Sequence, residues 1–159
     1  MARGKVTLKR KKVQADSKHQ SVDVSRFINK VMLDGKKTIA ENLVYGALVI
    51  AAEKLKKTEL DVFNEVIKEA SPLIEVRSKR IGGAAYQVPT PVSDKRGKHL
   101  AMVWLIDAAR ARKGQTFDKK LAAEMIDLLN GAGGTFKKKE DTHKMAEANK
   151  ALAYLAKLR

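Results

Sequence analysis

The chain has no cysteine. That removes disulfides, zinc knuckles and thiol catalysis, and it fits a reducing compartment. No apolar run approaches the roughly 20 residues of a membrane-spanning helix. The N-terminus, MARGKVTLKRKKVQAD, is basic but has no apolar stretch behind its charges, so it does not read as a signal peptide. Aromatic residues make up only 5% of the chain, so platforms for stacking single-stranded bases are scarce. There is no internal repeat and no linker-like tract. Acid is the other shortage: 18 Asp and Glu face 33 Lys and Arg, leaving a net charge of +15. One small domain does not need that excess for solubility. It favours a nucleic acid over an anionic membrane surface, because no basic amphipathic helix stands out.

What is present is a chain of 159 residues with 44% apolar content, enough for one domain with a real core. Residues 1–19 carry seven cations against Asp16 and read as a flexible basic arm that orders on binding. Residues 20–159 read as a helical nucleic-acid-binding domain. Val24, Phe27, Ile28, Val31 and Met32 form one stripe of an amphipathic helix, capped by Ser21 or Asp23 and stopped by Asp34-Gly35. Lys36–Lys56 has so little polar face that it reads as a central buried helix. Thr58 caps a third, which ends at Ser71-Pro72. Met102 and Trp104 belong to the core of a fourth, apolar nearly all round. Thr116–Asn130 is a fifth, and a last one begins between Thr135 and Asp141 and runs towards Leu158. The expected fold is mainly α: a single six-helix bundle with a protruding two-stranded β-hairpin between helices 3 and 4.

That hairpin, residues 73–92, is the one convincing β signal. Gly82-Gly83 folds it back, since glycine reaches positive φ without a Cβ clash. Pro89 and Pro91 on the return arm deny a ladder to any further strand. Arms of about 8 residues span roughly 26 Å.

Chemistry beyond charge is thin. Gly35-Lys36-Lys37-Thr38 resembles the end of a phosphate-binding loop, but the upstream glycine is absent and a helix precedes it. Gly131-Ala132-Gly133-Gly134 reads as a helix stop and turn. Glu140, His143 and Glu147 share a helix face, yet a metal site in a bundle needs a second such set. No cofactor, metal or catalytic constellation is expected, and the chain does not read as an enzyme. An RNA-modifying enzyme lacks its cofactor loop here. A DNA-bending ribbon would want a wedge at its tip rather than Gly-Gly.

The basic clusters remain. They comprise Arg3, Lys5, Lys9, Arg10, Lys11 and Lys12 in the arm, then Lys36 and Lys37. Arg77, Lys79 and Arg80 lie on the ribbon beside Gly82, Gly83 and Tyr86, the one aromatic set either to touch a nucleotide or to pack across the ribbon. Lys95, Arg96 and Lys98 open the fourth helix, Arg110, Arg112 and Lys113 close it, and Lys137, Lys138 and Lys139 start the last. Six such clusters, most at element ends or on extensions, suit a continuous phosphate-binding surface.

Pro72–Gly83 with Tyr86-Gln87-Val88-Pro89 is similar to the signature of the seventh small-subunit ribosomal protein, bacterial type. So are Asp34-Gly35-Lys36-Lys37, Leu100-Ala101-Met102 with Trp104, and Lys138–Ala151. The likeness runs over nearly the whole chain. His143 and Lys144, inside the last of these motifs, complete the RNA-binding candidates. The resemblance implies a cytoplasmic, ribosomal, structural protein. It implies a primary binder of small-subunit ribosomal RNA that folds the 3′ major domain and nucleates the head. It also implies a ribbon beside the exit-site transfer RNA and the messenger's exit path, with the eleventh and ninth small-subunit proteins as neighbours. The chain departs from the pattern at Ser93, Gly97 and Val103, where arginine is usual, at the Ala84-Ala85 tip, and in its tail.

Overall fold

The structure is a computed structural model and describes residues 13–157. Helix α1 (Val22–Val31) starts where the Ser21 hydroxyl accepts from the Val24 amide at 3.5 Å. Its stripe of Val24, Phe27, Ile28 and Val31 is buried. Asp34 and Gly35, both at positive φ, turn the chain into α2 (Lys37–Leu55). Ala40, Val44, Ala47, Leu48 and Ala51 face the core, but Ile39 is 55% exposed, so α2 is not enclosed all round. Thr58 caps α3 (Glu59–Ala70) by accepting from the Asp61 amide at 3.2 Å. Acids at Glu59 and Asp61 suit the positive end of that helix. Ser71-Pro72 closes it. Then come β1 (Ile74–Ile81), β2 (Ala84–Pro91), α4 (Asp94–Ala111), α5 (Phe117–Leu129) and α6 (Gly133–Ala148).

The core lies between α2, α3, α4 and α5, with α1 and α6 on its flanks. Phe27 and Phe63, both buried in it, meet with ring centroids 5.6 Å apart. Met102 is buried as expected, whereas Trp104 is only half-buried and stands outside the core cluster.

The C-terminal region departs most from expectation. Helix α6 begins at Gly133, earlier than the Thr135–Asp141 window, and stops at Ala148. A 3₁₀ helix, Lys150–Lys157, follows, giving seven helical elements among the described residues rather than six. Starting α6 at Gly133 moves Lys137, Lys138 and Lys139 into its second turn, past the amides that repel cations. The early start has a tertiary cause. Glu124 of α5 is 1% exposed, and its Oε1 accepts from both the amide and the hydroxyl of Thr135 at 2.8 Å. A buried carboxylate thus caps α6 from another helix. Arg112 neutralises it, with Nε donating to Glu124 Oε2 at 2.8 Å, and also pairs with Asp127. The seat is tight. A Cβ added at Gly133 would lie 2.9 Å from Glu124 Oε1, and one at Gly134 would lie 3.1 Å from Ala108 Cβ. The glycine run is therefore more than a stop and turn.

Residues just before α1 are also held. Asp16 is buried, and its carboxylate accepts from the Tyr45 hydroxyl at 2.6 Å and from the amides of Lys18 and His19. Burial alone would raise its pKa, but these hydrogen bonds and the nearby His19 carry it below the usual value. Lys18 pairs with Glu59 at 2.7 Å. The arm expected over 1–19 therefore reaches the bundle by Asp16, and its first twelve residues lie outside the described ones.

The ribbon pairs in register from Ile74↔Pro91 to Ile81↔Ala84. Gly82 (φ 57) and Gly83 (φ 93) form its turn, with open space where side chains would stand. The outer part stands free, with Ala84, Ala85, Tyr86 and Gln87 all exposed. Val88 is fully buried, the 3₁₀ helix lies along β2, and α6 supports β1. Lys79 donates to the Leu155 carbonyl at 3.0 Å, and His143 Nε2 accepts from the Leu73 amide at 3.2 Å. The rear of the hairpin is built into the body.

Candidate nucleic-acid interface

The cations divide by what holds them. Glu75, buried at the ribbon base, pairs with Arg77 and with Arg96 Nε at 3.3 Å, joining β1 to the start of α4. Burial opposes its charge, yet the two guanidinium groups hold its pKa below the usual glutamate range. Lys98 donates to Asp23 at 2.8 Å, which raises the pKa of the lysine and lowers that of the aspartate. Lys139 reaches both the Glu69 carboxylate, at 2.7 Å, and the Glu69 carbonyl. Arg110 donates to the Val31 carbonyl at 3.4 Å. Lys37 and Lys144 make loose pairs one turn along their own helices, at 3.6 Å to Glu41 and Glu140. Arg112 serves Glu124, as described, and Lys79 serves Leu155.

By contrast, Lys36, Arg80, Lys95, Lys113, Lys137 and Lys138 are exposed, and their side chains have no polar partner among the described residues. Tyr86, paired across from Lys79, is 38% exposed. Gly82 and Gly83 form the open tip beside Arg80. His143 spends its ring nitrogen on the ribbon, a packing role. Arg3, Lys5, Lys9, Arg10, Lys11 and Lys12 lie outside the described residues. Among the described residues no group of His, Asp and Glu stands where it could hold a metal, and no helix is long and apolar enough to cross a membrane.

Between α1 and α4 runs a groove of about 540 Å³, lined by Asp23, Arg26, Asn29, Lys30, Ser93, Lys95, Arg96, Lys98, His99 and Met102, with Val13 at its edge. Asp23 is its one carboxylate, and Lys98 and Arg26 already neutralise it. The groove is therefore strongly positive. It lies over the first turn of α4, where Ser93 makes no side-chain cap. Arg110 touches the far end of α1, so cations follow the α1–α4 seam from Lys95 to Arg110, about 22 Å at the helical rise.

The sequence missed three basic members of this groove. Arg26 and Lys30 stand one turn apart on the polar side of α1, a spacing that was there to read. His99 follows the Lys95–Lys98 cluster directly. Its placement against Lys30, with ring Nδ1 at 3.0 Å from the ammonium, depends on the packing of α1 and has no local signal.

Comparison with known proteins fits this geometry. The family model described as ribosomal protein S7p/S5e matches residues 2–150. The chain is 52% identical to the small ribosomal subunit protein uS7 of Chloroflexus aggregans over 151 residues, covering 95% of this chain and 96% of that one. It is 49% identical to the uS7 protein of Dictyoglomus thermophilum over 152 residues, 96% of each chain. Against the Thermotoga neapolitana uS7 protein the identity is 49% over 145 residues, 91% and 94% of the two chains. A cationic helical body with a braced β-ribbon, matched along nearly its whole length, places this chain in the S7p/S5e family of ribosomal proteins.

Proposed function

We propose that this ribosomal protein is a primary binder of small-subunit ribosomal RNA that organises the 3′ major domain and so nucleates the head. Family membership makes it a structural, RNA-binding constituent of the small ribosomal subunit, working in translation and not as an enzyme. The finer assignment rests on the arrangement of charge. The observation that carries it is the positive α1–α4 seam, in which ion pairs fix some cations while Lys95 stands unpaired. Rigidly placed cations can neutralise phosphates where RNA helices converge, removing the repulsion that opposes a compact junction. Specificity then comes from the spatial placement of charge more than from base stacking, which suits a chain with few aromatics.

Within this reading Lys36, Lys37, Lys95, Arg96, Lys98, Arg110, Lys113, Lys137, Lys138 and Lys144, with the N-terminal arm, contact phosphate. Arg112 and Lys139 support them from inside the body. The ribbon tip, with Arg80, Gly82, Gly83 and Tyr86, reaches the exit-site transfer RNA and the messenger's exit path. The eleventh and ninth small-subunit proteins lie alongside.

Nuclease footprinting on small-subunit RNA tests the assignment. Protection is expected within the 3′ major domain, and a footprint elsewhere would overturn it. The double variant Arg77→Ala/Arg80→Ala is expected to leave that footprint nearly intact while perturbing exit-site function. A strong loss of RNA affinity in this variant would instead make the ribbon the main anchor.

A further inference from the structure

We infer that the groove between α1 and α4 takes up a proton when an RNA phosphate enters it, and that His99 is the group that changes state. The inference rests on the proposed RNA binding and adds a regulation to it. An ammonium has three donors and no acceptor. Lys30 Nζ lies 3.0 Å from His99 Nδ1, so that nitrogen offers its lone pair to the ammonium and the ring is neutral. Around it stand Lys30 and Arg26 from α1 and Lys95, Arg96 and Lys98 from α4. Asp23 is the one carboxylate facing the groove, and it is engaged by Lys98 at 2.8 Å and Arg26 at 2.9 Å. Partial burial, then the charges of Lys30 and Arg96, hold the imidazole below its ordinary value of 6.5.

A phosphate reverses the two charge effects and outweighs the burial. It draws the Lys30 ammonium to its own oxygens and cancels the repulsion from Arg96. It also offers an acceptor to a ring that now gains by carrying two N–H donors. The proton comes from solvent: neutral imidazole plus one proton gives imidazolium, which donates to the phosphate oxygen. The bound state thus has the higher pKa. Tightening is therefore complete below the pKa of the free protein and is lost as pH rises through that of the complex.

The full-length protein and a 3′ major-domain RNA transcript provide the test. Affinity is measured at fixed salt from pH 5.5 to 8, with calorimetry in two buffers of different ionisation enthalpy to count protons. Wild type is expected to bind several-fold tighter at pH 5.5 than at pH 8, with about tenfold the ceiling set by roughly one unit of difference between free and bound states. His99→Gln keeps an acceptor for Lys30 but cannot be charged. It is expected to match wild type at pH 8 and to lose most of the tightening, along with the proton uptake, which peaks at roughly half a proton for a one-unit difference. His19→Gln and His143→Gln are expected to retain both. If His99→Gln behaves as wild type at every pH, the proton-coupled site is wrong although RNA binding stands. If wild type fails to bind the transcript at any pH, the RNA-binding assignment itself falls.

Discussion

Glu124 is the residue on which the C-terminal third of the chain depends. It is nearly inaccessible, charged, and shared between Arg112 and the first turn of α6. Removing one partner of a buried ion pair leaves the other without compensation, typically costing about 3–5 kcal/mol. Glu124→Ala is therefore expected to lower stability in urea denaturation by about that amount, because it strands Arg112 and uncaps Thr135. Glu124→Gln, which keeps an acceptor and the volume, is expected to lose clearly less. Equal stability of the alanine variant and wild type would show that the cap contributes nothing. The sequence hides this residue well. On α5 it looks like one more solvated acid among lysines, and its burial depends on a helix that begins nine residues later. The signal that points to it is indirect: Gly133-Gly134, where the chain gives up side chains so that two helices can approach. Asp16 is hidden in the same way, inside a segment that composition assigns to a solvated arm.

At the scale of elements, local pattern was a good guide wherever one face met one core. The stripe of α1, the Thr58 cap, the stop at Ser71-Pro72 and the turn at Gly82-Gly83 are all where periodicity and backbone chemistry put them. The 3₁₀ helix was not legible. Its apolar residues, among them Leu152 and Leu155, continue a helical spacing, so nothing local separates them from α6. The break at Asn149 is decided by the ribbon, which offers Leu155 a place to bury and its carbonyl a donor in Lys79. Leu155→Asp is expected to release this brace. Amide hydrogen exchange in residues 76–89 should accelerate by at least tenfold, while exchange in α2 and α5 stays close to wild type. A uniform acceleration across the bundle would mean that the 3₁₀ helix supports the whole fold rather than the ribbon.

For the whole molecule the governing quantity is the net charge of +15. If about six phosphates are neutralised, affinity for the RNA should fall by roughly a thousandfold between 50 and 200 mM salt. Binding isotherms across that range would measure the slope, and a slope near zero would exclude phosphate neutralisation as the main source of affinity. A random duplex should share the salt dependence but bind more weakly at every concentration, since the ion pairs of Glu75, Asp23 and Glu69 fix where the cations stand. Sequence alone made the excess of charge plain. It did not reveal which cations are held within the protein, because the pairings of Arg96, Lys98, Arg112 and Lys139 join residues distant in the chain.

The brace on the ribbon also has a mechanical consequence. Each arm has eight residues, but Lys79, the sixth of β1, is already tied to the body, which leaves a free length of about 10 Å in place of roughly 26 Å. The deflection of a cantilever under a given force grows with the cube of its free length. The tip is therefore stiffer than an unsupported hairpin would be. A stub of that stiffness acts as a fixed post, and a passing strand must bend around it.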